Sequence, residues 1–260
     1  MKVLVTGVGG QLGFDVIKKL RKRKIECLGT DLAQFDITDG KQTREFIISY
    51  DPDVVVHCSA YTSVDKAEDD VETCTRVNVD GTRNITAVCK EIDAKMVYIS
   101  SDYVFCGEGE TAFEVTDTPA PLSVYGKTKL GEEKEVKKFL DRYFIVRISW
   151  AFGLNGNNFI KTMLRLGKDR SEVNVVADQI GSPTYTADLA PLLCDMIETE
   201  KYGIYHATNE GYCSWAELAE KTFESAGMQV KVNHISTEQY PTGAIRPKNS
   251  RLSKIGRASC

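Results

Sequence analysis

The chain opens with MKVLVTGVGGQLG, residues 1–13, in which an apolar, β-branched run leads directly into a glycine-rich turn. Residues 2–6 predict a first strand, and the apolar spacing of residues 11–23 predicts a helix. A strand, a glycine-rich turn and a helix in this order are typical of a dinucleotide-binding fold. A glycine-rich turn that binds no ligand is the alternative.

The glycines of this turn have different predicted roles. Gly7 permits the tight turn, because glycine adopts backbone conformations that are closed to other residues. Gly10 lets the backbone approach a pyrophosphate, and Gly13 lets the helix pack close to the sheet. The helix begins with Gln11 and Leu12, and its N-terminus carries a partial positive charge that favours phosphate. The turn therefore predicts a site for the pyrophosphate of a dinucleotide cofactor.

The alternation of strand and helix continues to about residue 150. Further strands are predicted at residues 25–31, 53–57, 95–100, 143–148 and 203–206. Helices are predicted at residues 43–50, 71–92, 121–140 and 186–198, from residue 159, and after an N-cap at Ser214 with Glu217 in the capping-box position. Such alternation predicts an α/β fold with a parallel sheet covered on both faces. We expect a Rossmann-type doubly wound sheet over residues 1–150, with returning segments near 184–209, and a small C-terminal substrate-binding lobe mainly from residues 151–260.

Composition argues against several functional classes. The 260 residues carry a net charge of −4, so no basic surface indicates nucleic-acid binding. No apolar run reaches the roughly 20 residues that span a bilayer, and the N-terminus is too short and glycine-broken for a signal peptide. The eight cysteines show no C-x-x-C spacing and the three histidines lie far apart, which argues against zinc. We expect a cytoplasmic protein that binds no membrane and whose cysteines are reduced rather than paired in disulfides.

An acidic residue follows the second predicted strand at the position expected for ribose recognition. Asp31 lies eighteen residues after Gly13, where a carboxylate accepts hydrogen bonds from the adenosine ribose hydroxyls. The same charge would repel a 2′-phosphate, so the cofactor is NADH or NADPH with NADH favoured. Asp36 and Ile37 are placed to contact the adenine. A solvated aspartate at a strand end is the alternative for Asp31.

A tyrosine and a lysine one helical turn apart carry the predicted chemistry. Tyr125 and Lys129, at i and i+4, share one face of a helix. An ammonium beside a phenol is expected to lower its pKa towards working pH, which suits a proton donor, and Lys129 can also hold the nicotinamide ribose. Ser101 closes the fourth strand, where its hydroxyl can hydrogen-bond a substrate carbonyl. A surface tyrosine and lysine at a common spacing are the alternative.

The motifs together resemble the extended short-chain dehydrogenase/reductases and, among them, the dTDP-4-dehydrorhamnose reductase family. The similar stretches are TGVGGQLG, DPDVVVHCSAYTSVDKAE, NVDGTRNI, SSDYVFCGEG, PLSVYGKTKLGEE, RISWAFGLNGNNFIKTML, VVADQIGSPTYTADLA and RPKNSRLSK. The resemblance implies NAD(P)H-dependent reduction of the C4 ketone of dTDP-4-dehydro-L-rhamnose to dTDP-L-rhamnose. Its partner is then a nucleotide sugar.

The resemblance also assigns site residues. The implied catalytic set is Ser101, Tyr125 and Lys129, although the family usually has threonine where this chain has Ser101. Tyr125 and Lys129 are also implied to bind the cofactor. The other implied cofactor-binding residues are Gly7, Gly10, Gln11, Leu12, Gly13, Asp31, Asp36, Ile37, Ser59, Ala60 and Tyr61. The residues implied to border the sugar nucleotide are Thr62, Val64, Asp102, Tyr103, Trp150, Asn158 and Arg246. Core packing is the alternative role for Tyr103 and Trp150.

Two departures from the family leave alternatives open. The closing residues 255–260 do not resemble the helix with which the family continues, so we expect that helix to be absent. Some relatives dimerise around magnesium held by glutamates, and the corresponding early position here is Asp15, so no metal is predicted. Monomer and homodimer both remain open. The rival functions are reduction of another nucleotide-linked keto sugar, such as a UDP-linked one, and a non-catalytic role like that of the methionine adenosyltransferase β subunit.

Overall fold

The computed structural model describes residues 1–254 and is built around a large parallel sheet. The closing stretch that differs from the family, residues 255–260 with Cys260, lies outside the described residues. The strands, in chain order, are β1 (Lys2–Thr6), β2 (Glu26–Thr30), β3 (Val54–His57), β4 (Lys95–Ser101), β5 (Tyr143–Ile148), β6 (Ala151–Phe152), β7 (Glu172–Val176), β8 (Ile180–Gly181), β9 (Thr184–Tyr185), β10 (Gly203–His206), β11 (Cys213–Ser214), β12 (Lys231–Ile235) and β13 (Asn249–Ser250).

Helices connect these strands. In chain order they are α1 (Gln11–Lys22), α2 (Gly40–Tyr50), α3 (Val64–Asp69), α4 (Val71–Thr75), α5 (Gly81–Glu91), α6 (Val124–Phe139), α7 (Phe159–Asp169), α8 (Thr186–Ile197) and α9 (Trp215–Ser225). A π-helical segment, Arg76–Asp80, joins α4 to α5, and 3₁₀ turns lie at Asp102–Val104 and Thr237–Gln239. Among the described residues, no helix is both long enough and apolar enough to cross a membrane.

The large sheet has the strand order β2-β1-β3-β4-β5-β10, and all of its strands are parallel. The chain moves outward from β1 to β2 and then returns to the other side of β1 for β3. The carboxyl ends of β1 and β3 therefore form a topological switch point, which is where doubly wound sheets bind ligands. The predicted doubly wound fold is confirmed.

Alternate side chains along each strand fill two apolar layers. Val3 and Val5 face a core shared with α1 and α8, whereas Leu4 between them faces the core shared with α2, α5 and α6. Val56 and Val55 divide in the same way on β3. Burial on both faces explains why these strands read as unbroken apolar runs in the sequence.

The last third of the chain contributes to two places. Strand β10 pairs with β5 and extends the large sheet, and α8 packs on α1. Helices α7 and α9 instead cover the parallel pair β7–β12, with Met163, Val173 and Phe223 in a separate apolar cluster. This arrangement forms the small lobe.

Several elements differ from the sequence predictions. The helix predicted at 71–92 is interrupted by the π-helical segment, and α6 begins at Val124 rather than at residue 121 because Ser123 caps it, accepting from the amide of Gly126 at 3.1 Å. The short, polar helix α3 was not predicted, since it has too few apolar residues to show a period. The seven cysteines within the described residues are free thiols.

Candidate active site

The glycine-rich turn lies at the switch point, against the chain that leaves β3. Gly7 has a φ of 72°, and a Cβ there would lie 2.7 Å from the amide nitrogen of Ser59. A Cβ at Gly13 would lie 2.3 Å from the carbonyl oxygen of Gly7, so α1 packs directly on the turn. Gly10 is the N-cap residue of α1, and its amide donates to Gly7 at 3.1 Å. The turn can present free helix amides to a pyrophosphate, so its residues fit a dinucleotide.

The predicted adenosine residues follow β2. One carboxylate oxygen of Asp31 accepts a hydrogen bond from the amide of Gly9 at 2.6 Å, which holds the carboxylate against the glycine-rich turn. Asp36 accepts from the amide of Thr38 at 2.8 Å, and Ile37 packs on Gly81 at the start of α5. The structure thus gathers Asp31 with the turn, while the contacts with ribose and adenine stay predictions.

Ser59, Ala60 and Tyr61 form the chain segment that leaves β3, and a buried asparagine fixes it. The Asn78 side chain accepts from the amide of Tyr61 at 2.7 Å and donates to the carbonyl of Tyr61 at 3.2 Å. It also donates to Thr128 Oγ1 at 2.9 Å, beside Lys129 on α6. Asn78 lies in the π-helical segment, and the stretch NVDGTRNI was the sequence signal that could have identified it.

The end of β4 and the start of α6 meet at the predicted catalytic residues. Ser101 Oγ donates to a carboxylate oxygen of Asp102 at 2.8 Å and accepts from the amide of Tyr103 at 3.2 Å. The rings of Tyr103 and Tyr125 pack edge to face at 5.4 Å. Tyr103 therefore links Ser101 at the end of β4 to Tyr125 on α6.

The electrostatics of Tyr125 differ from the sequence expectation. The pKa of Tyr125 is raised above its usual value of 10, first by burial and then by the negative charges of Glu132 and Asp102. The ammonium of Lys129 does not offset this, because it lies 3.0 Å from the carboxylate of Glu132 in a fully buried ion pair. Glu132 was missed in the sequence, although its i, i+3 spacing from Lys129 was a visible signal.

Asp102 is a buried carboxyl next to Ser101. Burial raises the pKa of Asp102 to about 6, although the neighbouring hydroxyls of Ser250 and Ser101 act in the opposite direction. Asp102 is therefore a titratable group within the range of ordinary assays. Its position agrees with the predicted border of the substrate site, and its contact with substrate stays a prediction.

Other predicted substrate residues surround Tyr125. Val64 and Tyr103 belong to the apolar cluster that contains Tyr125. Arg246 donates to the Tyr103 hydroxyl at 3.0 Å and to the carboxylate of Asp65 at 2.5 Å, which brings the end of the chain to this cluster. Thr62 is exposed in the connection before α3.

Trp150 and Asn158 lie elsewhere. Trp150 has a φ of 48° and stacks on Trp215 with ring centroids 3.6 Å apart, so it packs against the small lobe. Asn158 is the N-cap of α7 and donates to Gln11 Oε1 at 2.9 Å. The neighbouring Asn155, which sequence analysis did not single out, donates to the carbonyls of Gly9 and Gly10 at 2.7 and 3.1 Å.

The loop that contains Asn155 and Asn158 therefore contacts the glycine-rich turn and not the Tyr125 cluster. The Leu12 side chain is buried in the core under α1, so any cofactor contact there falls to its backbone.

Acidic residues near the turn serve internal contacts. Asp15 is buried and accepts from the hydroxyl of Thr186 at 2.5 Å. Within residues 1–254, no three or more histidine, cysteine or acidic side chains are grouped to hold a metal ion.

Comparison with known proteins identifies the family. The profile of the family described as RmlD substrate binding domain matches residues 1–257. The dTDP-4-dehydrorhamnose reductase of Aggregatibacter actinomycetemcomitans is 41% identical in an alignment of 272 positions, which covers 99% of this chain and 92% of the relative. The chain belongs to the dTDP-4-dehydrorhamnose reductase family.

Solved members of the dTDP-4-dehydrorhamnose reductase family share the whole architecture. The Bacillus anthracis enzyme in complex with NADP is 43% identical, with a TM-score of 0.95 over 97% of this chain and 90% of that one. The Clostridium acetobutylicum member is 42% identical, with a TM-score of 0.96 over 98% of this chain and 90% of that one. The predicted family is confirmed, and the fold agrees over most of the length of both chains.

Proposed function

We propose that the chain is a nicotinamide-dependent reductase that converts the C4 ketone of dTDP-4-dehydro-L-rhamnose into the alcohol of dTDP-L-rhamnose. The observation that carries the proposal is the pair Ser101 and Tyr125, which both contact Tyr103 at the carboxyl end of β4, beside the switch point. Membership of the reductase family supports this reading. A non-catalytic subunit would have no need for a buried acid with an ammonium one turn away.

Each residue of the pair has a separate task in the proposed reaction. Bound nicotinamide supplies the hydride that the carbonyl carbon accepts. Ser101 orients the carbonyl oxygen by a hydrogen bond, and Tyr125 donates its proton to the alkoxide that develops there. A buried donor with a raised pKa is neutral at working pH, so Tyr125 carries the proton that reduction consumes. Lys129 holds the nicotinamide ribose.

The cofactor side of the proposal involves the turn and Asp31. Gly7, Gly10 and Gly13, with the first amides of α1, hold the pyrophosphate, and Asp31 accepts from the ribose hydroxyls. Asp31 also repels a 2′-phosphate, which favours NADH over NADPH. The B. anthracis relative was solved with NADP, so the two cofactors need a direct comparison in this protein.

The substrate side is proposed for the residues around Tyr125. Asp102, Tyr103, Val64 and Arg246 border the sugar nucleotide, where the pyrophosphate and base supply binding energy that positions the ring. Thr62 completes this set, while Trp150 at the small lobe and Asn158 at the glycine-rich turn stay predicted contacts away from Tyr125. We expect the enzyme to be cytoplasmic, and a monomer or a homodimer, which size-exclusion chromatography with light scattering will distinguish.

The test is reductase turnover with defined nucleotide sugars. Purified protein should oxidise NADH or NADPH when dTDP-4-dehydro-L-rhamnose is added, and the product should co-elute with dTDP-L-rhamnose. UDP-linked 4-keto sugars serve as the matched controls. Faster turnover of a UDP-linked sugar would replace the proposed substrate, whereas cofactor binding without turnover of any keto sugar would favour the non-catalytic role.

A further inference from the structure

The ammonium of Lys129 has a dedicated partner in the protein interior. Its Nζ lies 3.0 Å from a carboxylate oxygen of Glu132 and 4.6 Å from the ring centroid of Tyr98. Lys129 is 3% exposed and Glu132 is 0% exposed, so water screens neither charge. An ion pair this deep is held in one geometry rather than sampled at a surface.

Glu132 is in turn held by a buried chain of hydrogen bonds that begins at β1. Thr6 Oγ1 lies 2.8 Å from His57 Nδ1, His57 Nε2 lies 3.1 Å from Thr82 Oγ1, and Thr82 donates to Glu132 Oε1 at 3.0 Å. Burial lowers the pKa of His57 to about 3, so the ring is neutral and has one donor and one acceptor. The chain then runs in a single direction, from the Thr6 hydroxyl through His57 and Thr82 to the carboxylate.

The direction of these hydrogen bonds bears on the protonation state of Glu132. Burial raises the pKa of Glu132, while the ammonium of Lys129 and the hydroxyls of Thr82 and Tyr98 favour the charged form. The carboxylate of Glu132 thus accepts a hydrogen bond from Thr82 on α5 and pairs with the Lys129 ammonium on α6. The arrangement is that of a positioned counter-ion and not of an incidental acidic residue.

We propose that Glu132 is a positioning residue of the reductase, which orients the Lys129 ammonium and, by neutralising it, keeps Tyr125 as a neutral proton donor. The effect of Glu132 on catalysis rests on the proposed function. The effect of Glu132 on the protonation of Tyr125 can be measured in the protein alone. The titratable groups that face Glu132 and Tyr125 from the packed elements are Lys129, Tyr98, His57, Cys74, Asp102 and Tyr103.

The decisive variant is Glu132→Gln, which keeps the length and the acceptor for Thr82 but removes the charge. Without that charge the ammonium of Lys129 acts on Tyr125 uncompensated, and a nearby opposite charge lowers a pKa by about one unit or more. NMR of protein labelled at the tyrosine ¹³Cζ, with the Tyr125 signal assigned from Tyr125→Phe, measures this directly. The Tyr125 signal should titrate about one pH unit lower in the variant than in the wild type. Identical behaviour of the two proteins up to their unfolding pH overturns the proposal.

Two further variants separate charge from structure. Glu132→Asp keeps the charge and should leave the Tyr125 titration close to that of the wild type. Thr82→Val removes the hydrogen bond to Glu132 but not the ion pair, so it should lower the melting temperature and leave the titration unchanged. A shift with Thr82→Val as large as that with Glu132→Gln would assign the effect to packing and overturn the proposal.

The pH–rate profile gives the functional readout. In Glu132→Gln, the fall of reductive kcat/KM at high pH should begin about one pH unit earlier, since Tyr125 loses its proton earlier. A purely structural defect would lower the rate at every pH without moving that limb. If Glu132→Gln alone does not fold, Lys129→Met is compared with Lys129→Met/Glu132→Gln in the same NMR titration. Wild-type protein that reduces no keto sugar would refute the proposed function, while the NMR titration would still decide the role of Glu132.

Discussion

The buried pair of Arg147 on β5 and Glu133 on α6 should contribute strongly to the stability of the fold. The guanidinium contacts the carboxylate through two hydrogen bonds, both of 2.8 Å, and the side chains are 2% and 0% exposed. Ser100 Oγ adds a third hydrogen bond to Glu133 at 2.6 Å, and the guanidinium lies 5.0 Å from the ring centroid of Phe105. Replacing one partner leaves the other charge buried without compensation.

Arg147→Met should therefore destabilise the protein by about 3–5 kcal/mol, the range for breaking a buried ion pair. For a chain of about this size each kcal/mol lowers the melting temperature by about 2–4 °C, so the midpoint should fall by roughly 6–20 °C. Urea unfolding followed by circular dichroism gives the free energy of unfolding, and thermal unfolding gives the midpoint.

The second variant tests the cause. Arg147→Met/Glu133→Gln removes both charges and keeps an acceptor for Ser100, so the double variant should be more stable than Arg147→Met. A double variant that is no more stable than the single one, or a loss below about 1 kcal/mol in the single variant, would contradict the argument that an uncompensated buried charge dominates.

The remaining predictions concern the catalytic residues, the cofactor and pH. Tyr125→Phe should lower turnover at least about 100-fold with cofactor affinity unchanged, because only the proton donor is lost; near-normal turnover would remove Tyr125 from the mechanism. Lys129→Met should weaken cofactor binding, measured by nicotinamide fluorescence, and shift residual activity to higher pH, since Glu132 is left unpaired. The two losses should combine in a strongly non-additive way, and simple multiplication of their rate effects would show independent action. Asp31→Ala should weaken NADH binding and reduce discrimination against NADPH, so an unchanged ratio of the two dissociation constants would exclude a ribose role. Burial lowers the pKa of His57 to about 3 and of His206 to about 4, so the unfolded chain binds more protons at these positions and they should reduce urea stability as pH falls from about 6.5 towards 4; His206→Asn should flatten that slope.

The sequence predicts those parts of the fold whose cause is local. Strands β1, β3 and β5 were predictable because each is a mainly apolar run buried on both faces. Helix α9 was predictable because its capping box, from Ser214 to Glu217, lies within four consecutive residues. Both hydrogen bonds of that box are present, at 2.6 and 3.1 Å. Where a single stretch of chain decides the conformation, the pattern is sufficient.

The candidate site depends on contacts between distant stretches. Nothing in the local pattern shows that His57 reaches Thr82, or that the Thr82 hydroxyl ends on Glu132, because the elements concerned meet only in the folded sheet. The expected effect of Lys129 on Tyr125 was wrong for the same reason. The i, i+4 spacing was visible, whereas the degree of burial and the competing carboxylate depended on packing.

The π-helical turn at Arg76–Asp80 has a consequence for insertion and deletion of residues. Removing one residue from that wide turn would let α4 and α5 run as one regular helix, which favours the local backbone. The same deletion would rotate everything before it by about 100°, the angle between successive residues of an α-helix, and would carry Asn78 away from Tyr61 and Thr128. A scan of single-residue deletions should thus find a position in this helix where a more regular secondary structure yields a poorer enzyme. The extra residue is best regarded as an inserted spacer, kept for the side chain that it directs.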